Sequence, residues 1–367
     1  MNILHVISAP VAGGIEVYVK QLAIELQRMD HHLAIAFISR AVENGRSADF
    51  ETVFLAELRA ANVDCFFIGN TCRKRPWAGA WAVARYCSRN NIQVYHSHLK
   101  YGILFGAFLR IPRFYTHHNS LPDVPVFLFK LFNFLVEQYV GISESCGNLL
   151  KCYTGRTVCV IRNGVDLSRF VPAVRQVSSA SRISGVAVGR IFDQKDYPLL
   201  VRAVALLPKR TRERLHISII GEGPAELVSA LEHDISAAGL TERISLLGNR
   251  TDIPAILAQS QILLMTSAWE GLPIALLEAT ASGLPFISTD VGGCREVVEL
   301  CGNGIVVPPG DAQAFADALA ELLGDPDRIA QLSRAAIKSA PKLSIRKSAK
   351  EHLRSYNHVL LSHGVSE

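Results

Sequence analysis

The chain has no run of the roughly 18 or more uninterrupted apolar residues that a bilayer-crossing helix needs. The nearest stretch, VPVFLFKLFNFLV at 124 to 136, is short and carries Lys130. The apolar opening, MNILHVISAPVAGGIEVYV, lacks the basic n-region of a secretory leader and contains Glu16, so a strand entering a glycine turn is expected there. No CxxC pair occurs among the eight cysteines, at 65, 72, 87, 146, 152, 159, 294 and 301, and most sit in apolar segments. Buried free thiols in a reducing cytosol are therefore expected rather than disulfides. HExxH and Cys/His-knuckle spacings are missing too, which leaves no recognisable zinc site. Charge is sparse at 19%, against 49% hydrophobic residues, which excludes a largely disordered chain.

The charge that is present is unevenly spread. Residues 1 to 170 hold 18 Lys and Arg against 12 Asp and Glu, or +6, and the remainder holds 20 against 21, or −1. A basic first half suits anionic lipid or phosphorylated substrates, and equally a mildly basic solvated surface. Nucleic acid is not expected, because clusters such as RKR at 73 to 75 are short and not interleaved with aromatics.

A length of 367 residues points to two domains. NILHVI, HLAIAFI, VDCFFI, IQVYHSH, RFYTHH, YVGIS and VCVIRN read as strands, separated by segments such as GIEVYVKQLAIELQRM with apolar residues at helical spacing. After IRNGVDLSRFVP the pattern restarts with SGVAVGR, LHISIIG, RISLLG, QILLMTS, PFISTD and GIVVP. The expectation is an α/β chain of two Rossmann-like, doubly wound domains facing across a cleft. The Ser-rich, aperiodic VPAVRQVSSASRIS places the boundary near Asp166 to Ser178, giving domains of 1–170 and 171–344. The amphipathic segment SIRKSAKEHLRSYNHVLLSHG supplies a last helix, about 345–367, that can pack back on the first domain.

Polar residues at strand ends are the candidates for chemistry. Gly13 and Gly14 follow the first strand, where glycine lets backbone approach a ligand and a helix amino end offers N–H groups to an anion; a bare tight turn would look the same. His98 closes HSH at 96 to 98, and His117 and His118 close THH at 116 to 118. Histidines there suit hydrogen bonding to a polar substrate. Arg190 and Lys195, in VGRIFDQKD, suit a diphosphate, although a solvated loop carries such cations as readily. In WEGLPIALLE, Glu270 precedes a helix whose first turn Pro273 favours, and capping alone would account for it. Glu278 lies inside that otherwise apolar helix, where a carboxylate requires a partner. The sole DxD, Asp325 to Asp327, reads as a helix cap.

The ordered set GGIEVYVKQLAIEL, IQVYHSH, THH, IRNGVDLSRF, VGR with QKD, IIGEGP, LLGNRTDI, EGLPIALLE and SGLPFISTDVGG resembles the family 4 retaining glycosyltransferases of GT-B fold across nearly the whole chain. The resemblance implies that Gly14, beside Gly13, approaches the donor diphosphate or sugar. His118 would hydrogen-bond the sugar, with His98 and His117 as secondary candidates. Arg190 and Lys195 would hold the diphosphate, Glu270 the sugar hydroxyls and Glu278 the ribose hydroxyls. Backbone N–H groups around Gly271, Leu272, Pro273 and Ile274 would meet phosphate, and Arg250 and Thr251 would receive the base. QKD stands where many relatives have Lys-Gly, so the turn after Lys195 departs from the family pattern.

The resemblance further implies sugar transfer from a nucleotide-diphosphate donor, UDP favoured, to a glycan or lipid-linked acceptor of bacterial-type surface polysaccharide, by same-face displacement without metal or cofactor. A covalent intermediate on Glu270 is the alternative mechanism. An epimerase or hydrolase of the same fold, a GDP-mannose-dependent mannosyltransferase and a non-catalytic nucleotide-sugar-binding module are the alternative functions. A cytoplasmic protein is expected, peripheral on the inner membrane face if 124 to 136 meets lipid and not if that segment is core.

Overall fold

A computed structural model describes residues 1–121, 125–176 and 182–363. It divides into two compact units, Met1–Gly164 with Ile345–Glu367, and Val165–Ser344.

The first unit is built on seven parallel strands: β1 Asn2–Ile7, β2 His32–Phe37, β3 Asp64–Phe67, β4 Val94–Ser97, β5 Arg113–His117, β6 Gln138–Gly141 and β7 Val158–Val160. Their order is β3-β2-β1-β4-β5-β6-β7. Helices α1 Gly14–Arg28, α2 Ala48–Ala60, α3 Pro76–Arg89, α4 Lys100–Ile103, α5 Val126–Phe132 and α6 Glu144–Thr154 form the crossovers. Central strands covered on both faces read as nearly continuous apolar runs, and five of the six β1 residues are buried. The exception in composition is His5, a fully buried histidine in NILHVI. Chain order reverses direction between β1 and β4, which makes their carboxyl ends the switch point where such sheets bind ligands.

The second unit repeats the plan with six parallel strands: β8 Ile183–Val188, β9 Leu215–Ile220, β10 Ile244–Leu246, β11 Ile262–Met265, β12 Phe286–Thr289 and β13 Gly304–Val307, in the order β10-β9-β8-β11-β12-β13. The helices are α7 Tyr197–Leu206, α8 Lys209–Arg214, α9 Ala225–Ala237, α10 Ile253–Gln259, α11 Ile274–Ala281, α12 Cys294–Cys301, α13 Ala312–Gly324 and α14 Pro326–Ser339. Its switch point lies between β8 and β11.

The last helix, α15 Ile345–Ser362, returns to the first unit and packs on α1. Ile345, Ala349, His352, Tyr356 and Val359 are buried at spacings of three and four, the stripe expected of an amphipathic helix. Tyr18 of α1 hydrogen-bonds Ser348 Oγ at 2.8 Å and His352 Nε2 at 3.0 Å. The final residues of the expected 345–367 helix, 364–367, lie outside the described residues.

The junction between units falls at Gly164 and Val165, not within 166 to 178. Arg175, in the aperiodic stretch, is buried and donates to the carbonyls of Ala258 at 2.9 Å, Leu257 at 3.2 Å and Ser282 at 2.8 Å. Three charge-assisted bonds anchor that stretch to the second unit, so 165–170 belongs there as well. Residues 177–181 of the expected linker lie outside the described residues.

All eight cysteines are free; five are buried, Cys65 and Cys159 half-buried, and Cys152 exposed. Asp325 accepts a hydrogen bond from the Arg328 amide at 2.9 Å and so caps α14, which accounts for the DxD. Helix α5 is core on one side only: Phe129 and Phe132 are buried, while Phe127 and Leu131 are 62% and 54% exposed. Val124 lies outside the described residues.

Candidate functional site

In the second unit, the loops that follow β8 and β11 meet at the switch point. Lys195 Nζ donates to Glu270 Oε1 at 2.5 Å, across 75 residues of sequence. Ser267 Oγ donates to the same oxygen at 2.8 Å, and Gln194 Nε2 reaches Oε2 at 3.4 Å and the Trp269 carbonyl at 3.1 Å. The Thr266 hydroxyl donates to the Lys195 carbonyl at 3.0 Å, and the Ala268 amide donates to the Gln194 carbonyl at 2.8 Å. Glu270 is 6% exposed. Burial of a carboxylate requires compensation, and here a cation, a hydroxyl and an amide provide it.

Glycines let these loops close on one another. A Cβ on Gly292, whose φ is +54°, would stand 2.0 Å from the Glu270 carbonyl oxygen. The neighbouring Gly293 amide donates to the Gly271 carbonyl at 2.7 Å. A Cβ on Gly189 would strike Lys195 Cε at 2.4 Å, so the lysine stem lies over the backbone where β8 ends. The DVGG and VGR motifs thus serve to seat the Lys195–Glu270 pair.

Helix α11 begins just after, with Pro273 as its N-cap residue and Ile274 its first turn. Leu272 is buried at 4%. Glu278 is half-buried in this apolar helix, and burial raises its carboxyl pKa to about 7, with Arg169 opposing the shift. Among the described residues its carboxylate makes no hydrogen bond. Arg190 is exposed with its guanidinium over the Phe192 ring, 5.2 Å from the centroid. Arg250 pairs with Asp252 at 2.7 Å in the exposed loop after β10, beside exposed Thr251. Arg190 and Lys195 belong to one loop, but only Lys195 contacts Glu270.

In the first unit, the alternation of strand side chains separates the histidines. His5 of β1 and His96 of β4 are register partners on one face. His98 follows on that face, and Thr116 and His118 continue it at the end of β5. His5 Nδ1 stands 2.8 Å from His98 Nε2, and His98 Nδ1 2.9 Å from His118 Nε2. His96 bonds the Tyr356 hydroxyl at 2.6 Å and the Thr116 hydroxyl at 2.7 Å. His117 takes the opposite face, 2% exposed, with Nδ1 3.0 Å from the Tyr115 hydroxyl and its ring edge-on to Phe129. Burial depresses His5 and His118 to about 3 and His117 to about 4. It holds His96 and His98 well below the ordinary histidine range as well. These are neutral imidazoles at neutral pH.

Ligand nitrogens of His5, His96 and His98 lie within 4.8 Å of one another, close enough to converge on a metal ion. Both nitrogens of His96 and of His98 are already engaged in hydrogen bonds, so the donor set fits a metal poorly. At the start of α1, a carboxylate of the chain itself lies beside Gly13. Glu16, 8% exposed, folds back so that a Cβ on Gly13 would lie 2.1 Å from its Oε2, and Ser8 Oγ donates to its Oε1 at 2.8 Å. Gly14 is the first residue of the helix, with Gly13 at the N-cap.

Sequence reasoning missed His5, Gln194, Ser267 and Glu16. His5 carried a signal, being a histidine within an otherwise apolar central strand; Gln194 and Ser267 carried none beyond adjacency to Lys195 and Glu270.

Profiles of two families match the chain: Glycosyltransferase Family 4 over residues 12–169, and Glycosyl transferases group 1 over residues 181–339. A UDP-Gal:alpha-D-GlcNAc-diphosphoundecaprenol alpha-1,3-galactosyltransferase from Escherichia coli is 33% identical over 46% of this chain and 46% of its own length. The lipopolysaccharide core biosynthesis mannosyltransferase LpsB of Rhizobium meliloti (strain 1021) is 31% identical over 47% of this chain and 53% of its own. The matched stretches thus span about half the length of these relatives. The crystal structure of Anabaena HepE in complex with UDP and glucose superposes with a TM-score of 0.81 at 19% identity, over 97% of this chain and 99% of that one. That likeness concerns the fold, two parallel sheets with flanking helices. The two profiles, which between them reach from residue 12 to residue 339, mark the chain as a glycosyltransferase of the family 4 type, and the likeness to HepE gives it the GT-B fold.

Proposed function

We propose that this protein transfers a hexose or N-acetylhexosamine, with retention of configuration, from a UDP-sugar to a glycan or lipid-linked acceptor in bacterial glycoconjugate assembly. The observation that carries the proposal is the buried Lys195–Glu270 pair at the switch point of the second sheet, one helix start away from Glu278. A fixed cation beside a fixed carboxylate suits a donor that carries diphosphate and sugar on adjacent atoms. The relatives' names supply the substrate class: one acts with UDP-Gal on a diphosphoundecaprenol-linked sugar, and the HepE structure holds UDP and glucose.

In this reading Lys195 and Arg190 bear the charge that develops on the departing diphosphate, without a metal ion. Glu270 orders the sugar hydroxyls, and Glu278 accepts from the ribose hydroxyls. Amides at the start of α11 face phosphate. The anomeric carbon–oxygen bond to the diphosphate breaks as the acceptor hydroxyl oxygen bonds to that carbon on the same face. The acceptor proton passes to a diphosphate oxygen, and UDP leaves. Glu270 is not the nucleophile of a covalent route in this reading, since a carboxylate that orders the sugar hydroxyls is not aimed at the anomeric carbon. His118, half-buried just past β5, contacts the sugar.

The acceptor side is assigned to the first unit. Trp77 and Trp81 of α3 are exposed at 62% and 61%, with Arg85 over the Trp81 ring, and α5 exposes Phe127 and Leu131. Exposed aromatics with neighbouring cations suit an anionic membrane surface bearing a lipid-linked acceptor. Among the described residues no helix is long and apolar enough to cross a membrane.

The test is incubation of the purified chain with UDP-sugars and a polyprenyl-diphosphate-linked sugar, in the presence of EDTA, with product read by mass spectrometry. A glycosylated lipid is expected. Free sugar without glycosylated product would mark a hydrolase instead, and C2 inversion of the donor an epimerase.

A further inference from the structure

Three imidazoles form one hydrogen-bonded chain inside the first unit. It runs from His5 in β1, through His98 just past β4, to His118 just past β5, with N···N separations of 2.8 and 2.9 Å. A ring flip at either contact would set a C–H against a nitrogen, so the orientation of each ring follows from its neighbours. A neutral imidazole has one N–H and one bare nitrogen. The chain therefore has only two consistent proton arrangements, one the reverse of the other.

The far end decides between them. His5 Nε2 is buried and has no hydrogen-bond partner among the described residues. If it carried the proton, a donor would be orphaned in the core, the rarer and costlier of the two defects. With Nε2 bare, His5 Nδ1–H donates to His98 Nε2, and His98 Nδ1–H donates to His118 Nε2. The proton of His118 is then on Nδ1, which makes no hydrogen bond among the described residues. His96 stacks on His98 at 4.4 Å between ring centroids but is bonded to Tyr356 and Thr116, so it stands beside the chain and not in it.

We propose that His5 and His98 are positioning residues that lock His118 as its Nδ1–H tautomer, so that it offers the sugar a neutral N–H donor and no basic nitrogen. The sugar contact rests on the function proposed above; the lock does not. Protonating His118 at Nε2 would set two N–H groups against each other unless every proton in the chain shifted and left His5 with the orphaned donor. Burial depresses the basicity of all three rings, so each is a neutral imidazole with a single N–H at neutral pH. A donor fixed in this way favours a substrate oxygen with a free lone pair, such as a sugar hydroxyl. It disfavours His118 as a general base through the nitrogen that faces His98.

The full chain, labelled with ¹⁵N-histidine, tests the lock by long-range ¹H–¹⁵N correlation, with the His118 signals assigned from their loss in His118→Gln. A pyrrole-type Nδ1 and a pyridine-type Nε2 at His118 are expected. In His5→Leu the donor to His98 is gone, and His118 should become a mixture of tautomers. Transfer kcat should fall by about tenfold, the scale of one misdirected hydrogen bond, with the thermal shift given by UDP unchanged. In His5→Gln an amide N–H can replace the imidazole donor and should restore both the tautomer and kcat to within about twofold. His118 protonated at Nε2 in the native chain, or a His118 tautomer unmoved in a folded His5→Leu, would overturn the lock. A zinc ion that survives chelation in a 1:1 ratio would overturn it too. A tautomer that shifts as expected with unchanged turnover would leave the lock standing and overturn the sugar contact, and with it the functional half of the proposal.

Discussion

Lys195 and Glu270 are joined at 2.5 Å, with only 15% and 8% of their side chains exposed, and they tie the loop after β8 to the loop after β11. Removing one partner of such a pair leaves the other buried and uncompensated, at a cost of about 3 kcal/mol. Lys195→Ala and Glu270→Gln should therefore each lose stability of that order in denaturant unfolding, the second because a neutral amide leaves the Lys195 ammonium without a counter-charge. Both should lower turnover by about 100-fold or more, because charge stabilisation at the leaving group and order at the sugar are lost separately from the fold. Near-normal turnover of Lys195→Ala with EDTA present would remove the lysine from the mechanism.

In the proposed reading, Glu278 should couple donor binding to pH. Its carboxyl is raised from 4.5 to about 7 by burial, so the folded state holds the proton more tightly than the unfolded state. The associated stability is complete below about pH 4.5 and is lost as pH rises through about 7, by about 1–3 kcal/mol. Glu278→Gln should abolish that loss and be the more stable protein at pH 8. It should also bind UDP more weakly there, since an ionised carboxylate is the better acceptor for ribose hydroxyls. Equal UDP affinity of the two proteins from pH 6 to 8 would contradict the ribose assignment.

Adjacent histidines should differ in their effect on turnover. His117 is packed against Phe129 and bonded to Tyr115, so His117→Ala should cost about 2 kcal/mol of stability with turnover changed severalfold at most. His118→Ala should lower kcat by about 100-fold, beyond the stability cost of about 1–3 kcal/mol for the buried His98 N–H it leaves without an acceptor. Parallel denaturation and rate measurements on the two variants decide it.

The exposed side of α5 gives a separate prediction. Phe127→Ser with Leu131→Ser removes two exposed apolar side chains and should leave stability within about 0.5 kcal/mol. Sedimentation with vesicles containing anionic lipid should fall severalfold for the double variant and decline with salt for the native protein. Indifference of both proteins to anionic vesicles would return α5 to a purely structural role.

The fold was legible because the strands of both sheets are short runs rich in β-branched, aromatic and other apolar residues between turn residues, a local signal. The site was legible only in part. Lys195 and Glu270 could each be picked out by type and by motif, but their contact spans 75 residues and depends on β8 and β11 being sheet neighbours. His5 escaped notice for the same reason: its partner His98 lies 93 residues away, brought near by the pairing of β1 with β4. The choice of His118 over His117 needed the strand's facing, which period-two alternation fixes only once the sheet's two sides are known. Arg175 misled in the other direction. An aperiodic Ser-rich stretch read as a linker is held inside the second unit by bonds to backbone carbonyls, which leave no mark in hydrophobic periodicity.

The most direct measurement is the anomeric configuration of the product formed from a UDP-α-sugar and a polyprenyl-diphosphate-linked acceptor, read from the proton coupling at the new glycosidic carbon. An α-linked glycolipid is expected, formed with EDTA present and lost in Lys195→Ala. A β-linked product, or UDP released with free sugar alone, would contradict the proposed function.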